Sequence, residues 1–189
     1  MNRRQAISAI TLLLIAPAFG EDINRENDND YKTYIIGLPA CDRIEVIRIG
    51  QLAGESVPIE GSTDTRRVLP DDKTNLYHVE PYDEWWTIAA RITLNGPEAE
   101  RIAALYRGLK PRYDPHHLIG GPLCHVPPYA YLFYSGDKLL YHTSICWGCE
   151  NIIVGPDGKR HYFYFATKAK EAVKLFDESK KLFHDAPVK

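Results

Sequence analysis

Several features are missing from this 189-residue sequence, and each absence excludes a class of protein. No long apolar run follows the first 20 residues, so no membrane-spanning helix is predicted beyond them. No serine elbow, phosphate-binding glycine loop or metalloprotease His-Glu-x-x-His helix occurs. Basic residues are not in excess, because the chain after residue 20 carries 21 basic and 25 acidic side chains. The resulting net charge of minus 4 argues against nucleic acid as a partner.

The first 20 residues have the composition of a secretory signal peptide. A short basic region, Asn2-Arg3-Arg4, precedes an apolar run from Ala6 to Ala16, and the small residues Ala18 and Gly20 suit a signal peptidase. The run is too short to span a bilayer, and no cysteine follows it to receive a lipid. We therefore expect cleavage after Gly20 and a periplasmic or secreted protein with no membrane span.

The arginine pair Arg3-Arg4 leaves two export routes open. It resembles the start of a twin-arginine signal, whose passengers cross the membrane already folded, and it also suits the positive region of a general signal. A twin-arginine passenger could carry a metal loaded in the cytoplasm. The general route would instead bring unpaired cysteines into an oxidising compartment, where disulfides form.

The rest of the chain predicts a single α+β domain over residues 31–189. Residues 21–30 are rich in acids and poor in apolar side chains, which predicts a flexible acidic leader. Two helices are expected, one beginning at Pro97 and one after Thr167. The predicted strands are Ile44 to Ile49, Trp85 to Leu94, Tyr129 to Tyr134, Leu139 to Ile145, Asn151 to Val154 and His161 to Phe165. This order favours a mainly antiparallel sheet covered by two helices.

Three of the four cysteines flank a predicted hairpin that turns at Gly136-Asp137. If the two strands stay in register around this turn, Cys124 lies opposite Cys149, and Cys146 lies opposite Pro127. The Cβ atoms of cross-strand partners are only slightly farther apart than the Cβ atoms of two disulfide-bonded cysteines. The hairpin alone therefore brings Cys124 close to the other two cysteines.

This cysteine cluster permits three chemistries. A disulfide from Cys124 to Cys146 or Cys149 would close a loop of about 25 residues and stabilise the fold by roughly 3 kcal/mol. A tetrahedral zinc ion could be held by the three thiolates and one histidine, for which the candidates are His125, His142, His116 and His117. A redox dithiol could form at Cys146-Trp147-Gly148-Cys149.

The residues around the C-x-x-C favour a structural role over redox chemistry. A thioredoxin-like dithiol lies at the start of a helix, whose N-terminus lowers the thiol pKa. Here the strand Asn151 to Val154 and the turn Gly155-Pro156-Asp157-Gly158 follow at once and leave no room for a helix. A zinc ribbon would bring a second C-x-x-C, which is absent from the sequence.

Two further features leave alternatives open. Cys41 could pair with a central cysteine to give two disulfides, or it could be a buried free thiol. Trp85 and Trp86 are adjacent on one predicted strand, so their side chains point to opposite faces. One of them could then form an exposed binding surface, or pack at an edge.

Three segments carry a family resemblance: Cys124-His125-Val126-Pro127-Pro128-Tyr129, the hairpin through Phe133-Tyr134, and Thr143-Ser144-Ile145-Cys146-Trp147-Gly148-Cys149-Glu150-Asn151. They are similar to a family of uncharacterised bacterial proteins that are secreted or lipid-anchored. The similarity extends more loosely from the helix at Pro97 to the last helix. It implies that the hairpin and its cysteines form a unit, and it implies no reaction, because the family has no assigned activity.

These observations together predict an exported, non-catalytic protein with a structural cysteine cluster, closed by a disulfide or by zinc. Two alternatives stay open. One is a periplasmic thiol-disulfide oxidoreductase that uses Cys146 and Cys149. The other is a binding module that presents Trp85 and Trp86. No cofactor other than zinc is expected.

Overall fold

The computed structural model describes residues 28–60, 65–79, 84–112, 125–155 and 161–184. The predicted signal peptide and Cys124 lie outside these residues. Helices and an extensive antiparallel sheet are both present, so the predicted α+β class is confirmed. Within the described residues, no helix combines the length and the apolar character needed to cross a membrane.

The described residues contain nine strands and two long α-helices. The strands are β1 Arg43–Leu52, β2 Glu55–Pro58, β3 Thr65–Val68, β4 Leu76–Val79, β5 Glu84–Asn95, β6 Tyr129–Ser135, β7 Lys138–Cys146, β8 Asn151–Gly155 and β9 His161–Tyr164. The helices are α1 Gly96–Arg107 and α2 Lys170–His184. Residues 28–31 form a helical turn that continues into the π-helix Lys32–Ile36, so the predicted leader is helical from residue 28.

Seven strands form one antiparallel sheet in the order β4-β5-β1-β6-β7-β8-β9, and β2 pairs with β3 in a separate two-stranded sheet. The last four strands, β6 to β9, make the predicted meander. The first strand of the chain, β1, lies between β5 and β6. The centre of the sheet is therefore built from segments far apart in sequence.

The β6–β7 hairpin turns at Gly136-Asp137, as predicted, with Ser135 opposite Lys138. Gly136 has φ +57°, a conformation that glycine adopts without strain. A bulge then shifts the register by one residue, so that Phe133 pairs with Tyr141. Because a one-residue slip turns every side chain to the opposite face, this bulge determines which residues of β7 share a face with Phe133.

The bulge also changes the predicted pairing of the cysteines. The expectation that Cys146 lies opposite Pro127 is wrong, because that register assumed an unbroken ladder. Cys146 ends β7 and pairs with Asn151, the first residue of β8. The predicted pairing of Cys124 with Cys149 cannot be read from the ladder, since Cys124 lies outside the described residues.

Helices α1 and α2 bury their apolar stripes against one face of the sheet. The helices contribute Ala99, Ile102, Ala103, Tyr106, Ala172, Leu175, Ser179 and Phe183, and strands β6 to β8 contribute Tyr129, Tyr131, Phe133, Ile145, Ile152 and Val154. The buried hydroxyl of Tyr131 is hydrogen-bonded in this core, because Tyr131 Oη and Ser179 Oγ lie 2.6 Å apart.

We call the other side of the sheet, which faces away from α1 and α2, the open face. A second apolar cluster lies there, made of Ile47, Ile49 and Ala130 with the partly buried Tyr77, Trp86, Ile88 and Leu132. The sheet curls toward this side, because Tyr77 of the edge strand β4 lies near Ser144 of β7 and their hydroxyl groups interact. In a flat sheet those two strands would lie about 19 Å apart.

Replacing Phe133 with alanine tests the core under the helices. Phe133 is fully buried and stacks with Tyr106 and Tyr131. We expect the free energy of unfolding in urea to fall by about 3–5 kcal/mol. The matched control is Leu139→Ala in the same hairpin, which is 40% exposed and should change stability by about 0.5 kcal/mol or less. Equal effects of the two substitutions would contradict this packing.

Candidate functional site

A chain of buried polar side chains lies on the open face, centred on His125. His125 Nδ1 is 2.5 Å from Asn151 Oδ1, and His125 Nε2 is 2.7 Å from Ser144 Oγ. His125, Asn151 and Ser144 are 2%, 1% and 3% exposed, respectively. Buried polar groups are stable only when they are hydrogen-bonded, and both ring nitrogens of His125 are.

Three separate segments supply these side chains. His125 precedes β6, Ser144 lies within β7, and Asn151 begins β8. Ser144 pairs with Ala130 on one side and with Ile153 on the other, so it occupies the middle of the sheet. Its neighbour Ile145 faces the helices, which places Ser144 on the open face.

The partners fix the tautomer of His125. The carbonyl oxygen of Asn151 only accepts hydrogen bonds, so His125 Nδ1 carries the proton. Nε2 of the neutral ring is then an acceptor, and Ser144 donates its hydroxyl proton to it. Burial lowers the pKa of His125 to about 4, and the hydrogen bond with Asn151 opposes that shift. The ring is therefore neutral near pH 7.

Tyr77 lies at the end of this polar chain across the curled sheet. Burial raises the pKa of Tyr77 well above its usual value, a shift that the nearby Ser144 hydroxyl opposes, so Tyr77 remains protonated. Among the hydrogen-bonded side chains, Ser144 donates to His125 and His125 donates onward to Asn151.

This series of hydrogen bonds is the one that activates a hydroxyl nucleophile. The hydroxyl of Ser144 meets a neutral imidazole nitrogen, and a third side chain, Asn151, orients the imidazole. From the sequence, His125 is expected as a metal ligand, whereas Ser144 and Asn151 have no predicted role. The available signal was the polar character of Ser144 and Asn151 on strands that are otherwise apolar.

His142, the second predicted metal ligand, lies on the open face two residues before Ser144. It pairs with Gly155 and packs directly against it, since a Cβ on Gly155 would lie 2.1 Å from His142 Nε2. Burial lowers the pKa of His142, and nearby His78 lowers it further. Among the described residues, no group of three or more histidine, cysteine or acidic side chains is arranged to hold a metal ion.

The described cysteines are not equivalent. Cys41 and Cys146 are free thiols, 7% and 2% exposed, and burial raises the pKa of Cys41. Cys149, in contrast, is disulfide-bonded. No disulfide joins two cysteines within the described part of the chain. The zinc set includes Cys124, which lies outside that part, so zinc stays a prediction.

The C-x-x-C segment forms the tight turn between β7 and β8. The backbone N–H of Cys149 donates to Cys146 Sγ at 3.2 Å, and Glu150 completes the turn with φ +56°. Trp147 within the turn points to the helices, where its Nε1 donates to the carbonyl of Ala172 at 3.3 Å. No helix follows the pair, because β8 starts at residue 151.

The predicted binding residues Trp85 and Trp86 are both partly exposed and already have partners within the chain. Trp85 stacks on His78 with ring centroids 4.6 Å apart, and Lys73 Nζ lies 4.8 Å from its ring centre. Trp86 packs with the apolar cluster of the open face. The use of either tryptophan as a binding surface stays a prediction.

Comparison of this chain with protein-family models, with curated proteins and with solved structures gave no match.

Acid should destabilise the fold through His125. Its pKa is about 4 when folded and 6.5 in a solvated chain, so the unfolded state takes up the proton first as pH falls. Stability from this residue is complete above about pH 6.5 and declines as the pH drops toward about 4, by about 3 kcal/mol. The measurement is the free energy of unfolding in urea across this range.

The matched variants are His125→Gln and His184→Gln, the second at an exposed residue that ends α2. As the pH falls, the free energy of unfolding of His125→Gln should decrease by about 3 kcal/mol less than that of the wild type, whatever the stability of the variant at neutral pH. The second should keep the wild-type slope. An unchanged slope in His125→Gln would contradict a buried neutral imidazole.

Proposed function

We propose that the protein is exported and that its cysteines are structural, with a Cys124–Cys149 disulfide and a buried, free Cys146 thiol. The supporting observation is that the two cysteines of the C-x-x-C differ: Cys146 is a free thiol, whereas Cys149 is disulfide-bonded. Because Cys41 is also free, Cys124 is the remaining partner among the four cysteines of the chain.

The disulfide acts as a clamp beside the polar chain of the open face. Cys124 immediately precedes His125, and Cys149 lies two residues before Asn151. A bond between the two cysteines would therefore hold His125 and Asn151 together, in support of their 2.5 Å contact. Closing a loop of about 25 residues stabilises a fold by roughly 3 kcal/mol.

The same observations disfavour a thiol-disulfide oxidoreductase. Such an enzyme cycles one dithiol between two states, and its reactive thiol is accessible with a lowered pKa. Here Cys146 is 2% exposed, and its turn is followed by β8 instead of a helix. Both features suit a buried structural thiol.

Intact mass spectrometry with a thiol-alkylating reagent tests the proposal on the exported protein. We expect a chain that starts at residue 21, contains one disulfide and binds no metal. Cys41 and Cys146 should become alkylated only after denaturation, since both are buried. A mass increase of about 65 Da in the native state alone would indicate zinc and contradict the proposal. A Cys146–Cys149 disulfide in peptide mapping would also contradict it.

Replacing Cys124 and Cys149 together with serine should lower the thermal midpoint. A loss of roughly 3 kcal/mol corresponds to about 6–12 °C for a chain of this size. Cys41→Ala is the matched control, because it removes a buried cysteine without removing a disulfide. If the double variant melts at the wild-type temperature, the clamp does not stabilise the fold.

A further inference from the structure

The hydroxyl of Ser144 has a proton acceptor aligned on it. His125 Nε2 accepts from it at 2.7 Å. Asn151 holds the far side of the imidazole at 2.5 Å. This order of hydrogen bonds supplies a base for the hydroxyl and an orienting group for the base.

We propose that Ser144 is a nucleophile for acyl transfer, with His125 as its general base and small uncharged carboxylic esters as the substrate class. Asn151 is the positioning residue, since it acts through the imidazole. This inference goes beyond the structural role proposed for the cysteines and does not depend on it.

The chemical step balances without a cofactor. Ser144 Oγ bonds to the ester carbonyl carbon while its proton passes to His125 Nε2, and the carbonyl oxygen becomes an oxyanion. Collapse of this intermediate breaks the bond to the alcohol, which leaves with the proton from Nε2, and the acyl group stays on Ser144. Water then adds by the same route, and the carboxylic acid leaves as Oγ regains its proton.

The surroundings of Ser144 determine the substrate class. Its cross-strand neighbours are Ala130 and Ile153, both apolar and buried, so a charged substrate would lose its hydration without compensation. The next pair along this face, His142 with Leu132, is partly exposed. Solvent therefore reaches the open face one position away from Ser144, which suits a small ester entering from that side.

The test is covalent labelling of the folded protein with a small alkyl fluorophosphonate, read by peptide mass. Trypsin releases residues 139–159 as one peptide, in which Ser144 is the sole serine. We expect labelling of Ser144 in the folded wild type and none in the urea-unfolded chain. His125→Gln should slow labelling by at least about 100-fold. Ser135→Ala, which removes an exposed serine from the same hairpin, should leave it unchanged.

Asn151 provides a readout that a purely structural role would not change. Because His125 stays neutral, labelling of the wild type should keep its rate between about pH 8 and about pH 5.5. Asn151→Ala should label slowly. Asn151→Asp should restore labelling and shift its loss to higher pH, since a carboxylate raises the pKa of the imidazole.

Two results would overturn the proposal. The first is the absence of any adduct on residues 139–159 while a reference serine hydrolase in the same tube is labelled. The second is equal labelling of Ser144 in the wild type and in His125→Gln, which would mean an accessible but unactivated hydroxyl. Neither result bears on the disulfide, which is measured separately by mass.

Discussion

The buried imidazole of His125 sets the constraint on which the sheet depends. A ring that is 2% exposed must find a partner for each nitrogen, and the partners Ser144 and Asn151 lie 19 and 26 residues further along the chain. The segment before β6 is thereby tied to β7 and β8 at once. A change in the register of either strand would leave a buried nitrogen unpaired, which costs more than the hydrogen bond itself contributes.

The bulge in the β6–β7 hairpin follows from the same constraint. The two-residue turn at Gly136-Asp137 fixes one register, and without the bulge Ser144 would share a face with Phe133 under the helices. The extra residue in β7 turns Ser144 to the open face and leaves Ile145 in the helix-covered core. The curl of the sheet then brings Tyr77 from the opposite edge to Ser144.

Much of the fold could be predicted from local patterns in the sequence. The turn at Gly136-Asp137, the meander after it and the helix beginning near Pro97 each depend on residues close together in the chain. The register beyond the turn could not be predicted, because the bulge satisfies contacts with residues distant in sequence: the helices that cover Ile145 and the imidazole that bonds with Ser144. The short strand β4 was not predicted either, although it is the neighbour of β5 in the sequence and pairs with it.

The polar chain on the open face was beyond local reasoning. The sequence predicts His125 as a zinc ligand, because it is the neighbour of Cys124. Its partners Ser144 and Asn151 are ordinary residues of two strands, and only the folded sheet brings them together. An apolar strand with one polar residue on its buried face is the local sign of such a network, but it does not identify the partner.

The state of the His125 ring tests the account most directly. Long-range nitrogen–proton NMR spectra of protein labelled at histidine would give its tautomer and its titration. We predict a single Nδ1-protonated form that remains neutral from about pH 8 to about pH 5, because its pKa is about 4. A ring that carries its proton on Nε2, or that titrates near pH 6.5 like a solvated histidine, would contradict the buried chain from Ser144 to Asn151.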